Sequence, residues 1–522
     1  MTDKKDKYYY ITTPIYYVNG APHIGSSYTN IACDVLARFK RLDGYKVKFL
    51  TGTDEHGLKV KQAAEAKGVS PQAFTDEVAA MFEGALAPMN ISNDDFIRTT
   101  EERHKKAAQA LWQKLEEAGE IYLDKYAGWY AVRDEAYYTL DELIAGPDKD
   151  TMIAADSGAE CKWVEEESYF FKLSEYTDKL LAYYEEHPEF IQPASRRNEV
   201  MSFVKGGLRD LSISRTTFDW GVPVPGNEKH VMYVWIDALT NYLTALGYPD
   251  TSSEEFQGFW NNAFHMVGKE ITRFHCVYWP AFLMAAKLPL PKTVFAHGWL
   301  TVEGQKMSKS VGNVITPEEL ISRYGVDGAR FVLLREIPFG NDGNFSHENS
   351  VNRINSDLAN GLGNLAQRTL SMIAKNCEGK VPHHADFNEE DLAVLNDAYG
   401  VIESVRAGLD QFKFHEALQE IFRLVNAANG YIDAQAPWTL KKTDFTRMET
   451  VLYVLAETIR CLGILVQPVM PDSASKILDQ VAVTEKARDF TCLTKEHALK
   501  VGTELPVPQG VFPRLELEEK AA

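Results

Sequence analysis

Apolar residues follow two rhythms along this chain. From Tyr8 to Thr13 they run almost unbroken, β-branched and aromatic, as in a strand covered on both faces. A loop with Pro14, Asn19, Gly20 and Pro22 follows. From Ser26 to Leu42 the apolar positions Ile31, Val35, Leu36 and Phe39 recur at helical spacing, with Gly44 placed to end the helix. Lys46 to Thr51 is a second strand, followed by Gly52, Asp54, His56 and Gly57. Strand, polar loop, helix, strand, polar loop opens a parallel α/β sheet with ligands at its carboxyl edge. Ser70-Pro71 marks the start of another helix.

Between about residues 118 and 225 the pattern changes. Tyr122, Trp129, Tyr130, Tyr137, Tyr138, Trp163, Tyr169, Phe170 and Phe171 crowd into short strand-like stretches separated by acidic turns, which reads as an inserted domain. The α/β pattern resumes with VMYVWIDAL (231–239), HMVGKEI (265–271) and TVFAHGWL (293–300). From about Val351 onward nearly all is helical periodicity, with amphipathic stretches at 389–412, 415–433 and 446–467, a helical bundle. The expected fold class is therefore α/β, a Rossmann-type parallel-sheet domain split by an inserted connective domain and followed by an all-α bundle. The boundaries are 1–117 and 229–292 for the two sheet halves, 118–228 for the insert, 293–350 for a loop-bearing region and 351–522 for the bundle.

Composition narrows the classes. The 522 residues make room for about three to four domains, and 45% hydrophobic with 25% charged residues is an ordinary globular balance. No stretch is long and apolar enough for a membrane span, and the start lacks the apolar core of a signal peptide. The six cysteines form no CxxC pair, as expected of free thiols in a reducing cytoplasm. Lys and Arg number 55 against 74 Asp and Glu, a net charge of −19, so any nucleic-acid partner must be met by local basic patches.

Two segments carry phosphate chemistry. Pro22-His23-Ile24-Gly25-Ser26 lies at a strand-to-helix junction, where unpaired N–H groups and the helix dipole suit an anion and Gly25 permits close approach. Lys306-Met307-Ser308-Lys309-Ser310, between Gly304 and Gly312, offers two ammonium groups to a polyphosphate, and Thr316-Pro317-Glu318-Glu319 then caps a helix. Each alone is also an ordinary polar loop; the pair is specific, and GxxxxGK[ST] is absent.

HIGS at 23–26 and KMSKS at 306–310 resemble the signature motifs of class I aminoacyl-tRNA synthetases. The text TTPIYYVNGAPHIG, FLTGTDEHG, YVWIDAL, GKEITRFHCVYWP, AHGWLTVEGQKMSKS and QAPW is similar to the methionyl-tRNA synthetase family from Tyr8 to about Gln467. The resemblance implies that ATP and methionine form methionyl-adenylate and that methionine then passes to the 3′ end of its tRNA. It implies a methionine pocket of Ile15, Tyr17, Asp54, Trp235, Ala238, Tyr242, Ile271, Phe274 and His275. ATP with Mg²⁺ falls to His23, Gly25, Ser26, Gly268, Lys269, Glu270, Lys306, Ser308 and Lys309, of which His23, Lys306 and Lys309 are the catalytic set. Asp54 would hold the α-ammonium and the aromatics would wrap the thioether. Asn360, Asn364 and Arg368, at i, i+4 and i+8, with Trp438, would read the CAU anticodon.

Two departures stand out. Ser26 replaces the second histidine of the first motif, and the family's zinc knuckle retains only Cys161, too few thiolates for a structural site. The insert is expected to hold by aromatic packing, without zinc. The expectation is a cytoplasmic methionine–tRNA ligase, a monomer with no appended module after about residue 480. The rivals are a class I synthetase for Leu, Ile, Val or Cys and a non-catalytic tRNA-binding paralogue.

Overall fold

The computed structural model describes residues 7–517 except 135, 149 and 308–311. Its centre is a seven-stranded parallel sheet. Neighbouring strands run Ile191–Gln192, Thr293–His297, Ala263–Gly268, Tyr8–Thr12, Lys46–Asp54 and Tyr16–Tyr17, with Asp95–Arg98 also paired to Lys46–Asp54. The inner strands are buried nearly throughout because helices cover both faces. Order reverses between Tyr8–Thr12 and Ala263–Gly268, and such a switch point opens a crevice at the strands' carboxyl ends.

The helix Ile24–Leu42 returns the chain over this sheet, burying Ile31, Val35, Leu36 and Phe39. It stops at Asp43, after which Gly44 turns with φ of 79°, a conformation that favours glycine. Ser70 caps Pro71–Leu86 as its spacing foretold.

The insert is a second, antiparallel sheet. Ile121–Ala131 and Glu160–Phe171 form its long central ladder, flanked by Ala136–Tyr138 on one side and by Thr151–Ala154 and Leu143–Ala145 on the other. Its tip has a small core of Ala131, Leu143, Ala154, Ala159 and Cys161, against which Trp129, Tyr138 and Met152 pack. Asp134 accepts hydrogen bonds from Tyr138 and Ser157, joining the two segments that the Cys pairs of a knuckle would occupy.

Strand pairing departs from the sequence reading in three places. Thr293–His297 pairs with Ala263–Gly268, so the catalytic sheet continues past 292. Ile191–Gln192, inside the expected insert, is an edge strand of the central sheet rather than part of the second one. VMYVWIDAL contributes no strand to the central sheet; Val231–Met232 pairs with Ser214–Arg215, and Val234–Leu239 is helical.

Beyond the sheet, Leu300–Val302 pairs with Gln305–Lys306 and Gly343–Phe345. Thr316 Oγ1 caps the next helix, Pro317–Arg335, by accepting the Glu319 N–H at 3.2 Å. The bundle contains Asn364–Asn376, Glu389–Asp410, Phe414–Gln435, Phe445–Val466 and Pro471–Gln480. Its last residues fold back, Leu515 and Asn355 exchanging two hydrogen bonds of 2.8 and 2.9 Å.

Sheet, loop helix and bundle meet at one buried guanidinium. Arg330 is 1% exposed and donates to Asp34 Oδ2 at 2.6 Å. It also donates to the carbonyls of Met89, Asn90, Pro468 and Val469. Burial alone would raise the Asp34 carboxyl, but Arg330 and Arg38 outweigh it and hold that carboxyl below its ordinary range. Replacing Arg330 by Ala is therefore expected to cost about 3–5 kcal/mol, since it removes the fully buried partner of a buried carboxylate, leaving it to Arg38 and Ser92, and takes the guanidinium donors from four carbonyls. Arg38→Ala, on a more accessible partner of the same carboxylate, should cost about 1 kcal/mol. Urea unfolding of both variants beside the parent checks that order.

Candidate active site

The residues that the resemblance assigns to nucleotide and to amino acid form two groups about the switch point, a nucleotide side and an amino-acid side. On the first, His23 is the N-cap of Ile24–Leu42, its Nδ1 accepting the Gly25 N–H at 3.0 Å. A Cβ on Gly25 would stand 2.8 Å from His23 Cε1, so only glycine leaves that ring its place. Ser26 completes a capping box: its Oγ accepts the His23 N–H at 3.1 Å and donates to the His23 carbonyl at 2.8 Å. Ser26, placed with ATP by the resemblance, thus has a role in the turn itself. The hydroxyl is buried and its proton is committed to the turn.

The first signature segment touches the stretch that follows the second. Ile24 N–H, at the first helical position, donates to the carbonyl of Ile315 at 2.8 Å, just past the second motif. Lys306 is exposed at the end of its strand, while Ser308 and Lys309 lie outside the described residues. Opposite, Gly268 leads into Lys269 and Glu270. A Cβ on Gly268 would meet Glu270 Oε1 at 2.4 Å.

Sequence reasoning missed a plate beneath these groups. Trp299 donates its indole N–H to Glu270 Oε2 at 2.7 Å, and its ring centre lies 4.0 Å from Lys269 Nζ and 5.6 Å from Lys306 Nζ. Asp342 joins them, accepting from the Trp299 backbone at 2.9 Å and from Lys269 Nζ at 2.7 Å. Thr29 and His297 lie behind, 2.8 Å apart. Trp299 and His297 stood in the quoted AHGWL text, but nothing in their spacing marked them.

On the amino-acid side, Tyr17 pairs with Asp54 across the Tyr16–Tyr17 and Lys46–Asp54 strands. The loop after Asp54 is rigid. Glu55 accepts two bonds from Arg98, at 2.7 and 2.9 Å, and one each from Thr53 and Thr100. Ile15, Tyr17, Trp235 and Ile271 share one partly buried apolar cluster with the buried Tyr242. Ala238 is buried one turn from Trp235. Trp235 and Phe274 stack with ring centres 3.7 Å apart and planes 6° apart.

His275 lies on the π-helical turn Phe274–Tyr278, a geometry common at functional sites. Its Nδ1 faces the Ile271 carbonyl at 3.0 Å and therefore carries the proton, so Nε2 accepts from the Tyr242 hydroxyl at 2.7 Å. Burial lowers its pKa to about 4, despite the Ile271 carbonyl. The ring is neutral at working pH and presents a fixed dipole rather than a charge.

The four remaining residues stand at the bundle surface. Asn360 and Asn364 are exposed, and Trp438 is 44% exposed. Arg368 donates to Asp433 at 2.8 Å with its guanidinium carbon 5.2 Å from the Trp438 ring. Trp438 is set by an unusual corner, for Ala436 adopts φ 43° and ψ 60° between Phe414–Gln435 and Pro437–Thr443. The α-helical face argument needs correction: Ile354–Gly363 is π-helical, so the i, i+4 spacing does not by itself align Asn360 with Asn364.

A parallel nucleotide-binding sheet with the first signature segment at its crevice, bonded to the stretch that follows the second, defines the class I aminoacyl-tRNA synthetases. The model of the family described as tRNA synthetases class I (M) matches residues 9–370, and that of the anticodon binding domain of methionyl tRNA ligase matches 381–522. The methionine–tRNA ligase of Brucella suis is 58% identical over 506 residues, covering 97% of this chain and 98% of that one. Methionyl-tRNA synthetase of Mycobacterium tuberculosis in complex with methionyl-adenylate superposes with a TM-score of 0.94 at 53% identity, over 97% of this chain and 100% of that one. Its apo form gives 0.86 at 48% identity, over 99% and 100%. The chain belongs to the methionyl-tRNA synthetase family.

The His275 geometry makes a pH prediction. Its folded value of about 4 lies below the roughly 6.5 of an unfolded histidine. The neutral ring's contribution is thus whole above about pH 6.5 and is lost as pH falls toward 4. The KM for methionine should stay level from pH 8 to about 5 and climb as pH nears 4, as measured by pyrophosphate exchange.

Proposed function

We propose that this chain joins methionine to ATP, forming methionyl-adenylate and pyrophosphate, and then transfers the methionyl group to the 3′ end of a tRNA with a CAU anticodon. One observation carries the reading. The Ile24–Ile315 hydrogen bond brings the glycine-opened helix N-terminus against the stretch after the lysine loop, and the same domain carries the stacked Trp235 and Phe274 and the buried Tyr242 that suit a thioether.

The chemistry needs no protein nucleophile. The methionine carboxylate oxygen attacks the α-phosphorus, the bond to the β,γ-pyrophosphate breaks, and pyrophosphate leaves with the electron pair. Catalysis is placement and charge stabilisation. Asp54 would hold the α-ammonium, with Ile15, Tyr17, Ala238, Ile271 and His275 shaping the side-chain site. His23 and Gly25 would seat the triphosphate, and Gly268, Lys269 and Glu270 the nucleoside. Lys306 and Lys309, with Ser308 between them, would balance the charge growing on pyrophosphate. Among the described residues no group of three or more His, Cys, Asp or Glu is placed to hold a metal ion. Mg²⁺ is read as part of the substrate, carried on the triphosphate oxygens. In the second step a ribose hydroxyl of the tRNA's last nucleotide attacks the adenylate carbonyl and AMP departs.

We read 1–117 with 229–297 as the catalytic unit, 118–228 as the insert apart from its edge strand, 298–350 as the loop region and the remainder as the tRNA-reading bundle. Among the described residues no helix is long and apolar enough to cross a membrane. We read the protein as cytoplasmic, in keeping with a role in translation, and as a monomer. Packing at the insert's tip and the Asp134 bonds stand where a zinc would, so elemental analysis should find well under one zinc per chain.

Exchange of labelled pyrophosphate into ATP, run over a panel of amino acids, tests the activity. Methionine should be the strong substrate, and exchange with another amino acid alone would overturn the reading. Lys306→Ala and Lys309→Ala should slow exchange by roughly tenfold or more while methionine binding without ATP stays nearly intact. An equal loss of methionine affinity would show that the loop builds the amino-acid pocket instead.

Trp438→Ala removes a stacking platform worth roughly 1–3 kcal/mol per base. Its exposure means little core is lost. Exchange should remain near normal while kcat/KM for tRNA charging falls at least about tenfold. A parallel fall of exchange, charging and melting temperature would make Trp438 a packing residue.

A further inference from the structure

Asp237 is fully buried and stands behind the residues assigned to substrate, yet its own helix bears two of them and the two histidines it grips reach segments that bear, or pack against, others. Its Oδ2 lies 2.6 Å from His56 Nδ1 and its Oδ1 lies 2.7 Å from His104 Nε2. His56 follows Asp54 by two residues, and its backbone carbonyl accepts the Tyr17 hydroxyl at 3.1 Å. Asp237 itself sits between Trp235 and Ala238 on the helix Val234–Leu239. His104, from the helix Glu102–Glu117, places Nδ1 3.2 Å from Thr244 Oγ1, on the short helix Asn241–Thr244 that also bears Tyr242.

One carboxylate therefore links three stretches that are far apart in sequence: the loop after Asp54, the helix Glu102–Glu117 and the two short helices between Val234 and Thr244. Both oxygens are used, each in a short bond to an imidazole, which fixes direction as well as distance. Burial alone would raise this carboxyl; the two imidazoles outweigh it and bring its pKa to about 2, so it stays an acceptor at working pH. Neither imidazole belongs to the segments assigned to ATP.

We propose that Asp237, His56 and His104 form a positioning unit for methionine selection: together they set the spacing of Asp54, of Trp235 with Ala238, and of Tyr242, without touching substrate. This deepens the methionine–tRNA ligase reading and rests on it. The unit acts on the amino-acid side of the crevice only.

The experiment measures KM for methionine and for ATP by pyrophosphate exchange, with melting temperature, for the wild type, His104→Ala and His104→Gln. In His104→Ala the KM for methionine should rise at least about tenfold while that for ATP stays within about twofold. That is the range in which removing an orienting partner costs 10–100-fold in metal sites. His104→Gln should recover most of the loss, because its amide N–H can reach the carboxylate where Nε2 did. Parallel rises in both KM values, or a folded Gln variant no better than Ala, would overturn the proposal. If His104→Ala does not fold, Asp237→Asn keeps the shape while spoiling one of the two bonds. A folded Asp237→Asn with unchanged KM for methionine overturns the proposal, and a methionine-only rise supports it. A wild type that fails to exchange with methionine defeats the parent reading; a wild type that exchanges beside indifferent variants defeats this inference alone.

Discussion

The ion pair between Asp34 and Arg330 is the contact on which the arrangement of this molecule turns. Asp34 sits midway along the helix that His23 begins, and Arg330 lies on the helix that follows the lysine loop. The same guanidinium takes the carbonyls of Pro468 and Val469 as the bundle's long helix Phe445–Val466 ends. A charge removed from water must be matched completely, and here each donor has a fixed acceptor. Both helices of the signature motifs are thereby held to one point, with the bundle attached to it.

That point lies remote from the crevice, and the division of labour follows. One group of the proposed site residues combines a helix N-terminus, glycine clearance and ammonium groups about Trp299. The other combines stacked aromatic surfaces and a neutral histidine. In a chain of net charge −19, Lys269 and Lys306 thus share one indole, with Asp342 paired to the first.

Much of this was legible in the residues. The helix at 26–42, the strand at 46–51, the cap at Ser70 and the long bundle helices all came from periodicity, and the observed limits extend or trim them by a few residues. What escaped was small or non-local. A two-residue strand such as Ile191–Gln192 has no periodicity to detect, and its place in the central sheet is decided by Thr293–His297, a hundred residues on. VMYVWIDAL looked like a strand because β-branched and aromatic residues crowd it, but Asp237 pulls it into a helix over two buried histidines. The π-helical turns leave no mark distinct from an α-helix. Substrate-side residues were legible only through the family resemblance; Trp299, Asp342 and Ser26's capping role needed coordinates.

The central sheet also constrains how the molecule can be made. Tyr8–Thr12 is the innermost strand, with Lys46–Asp54 on one side and Ala263–Gly268 on the other. The first partner leaves the ribosome almost at once, but the second is about 250 residues later. At roughly 5–20 residues per second that is on the order of ten to fifty seconds. Throughout it, one side of this central, nearly buried strand is an open hydrogen-bonding edge of the kind that recruits foreign strands. Synthesis of this chain therefore includes an interval of exposure that the finished molecule conceals, during which the antiparallel insert is being completed alongside.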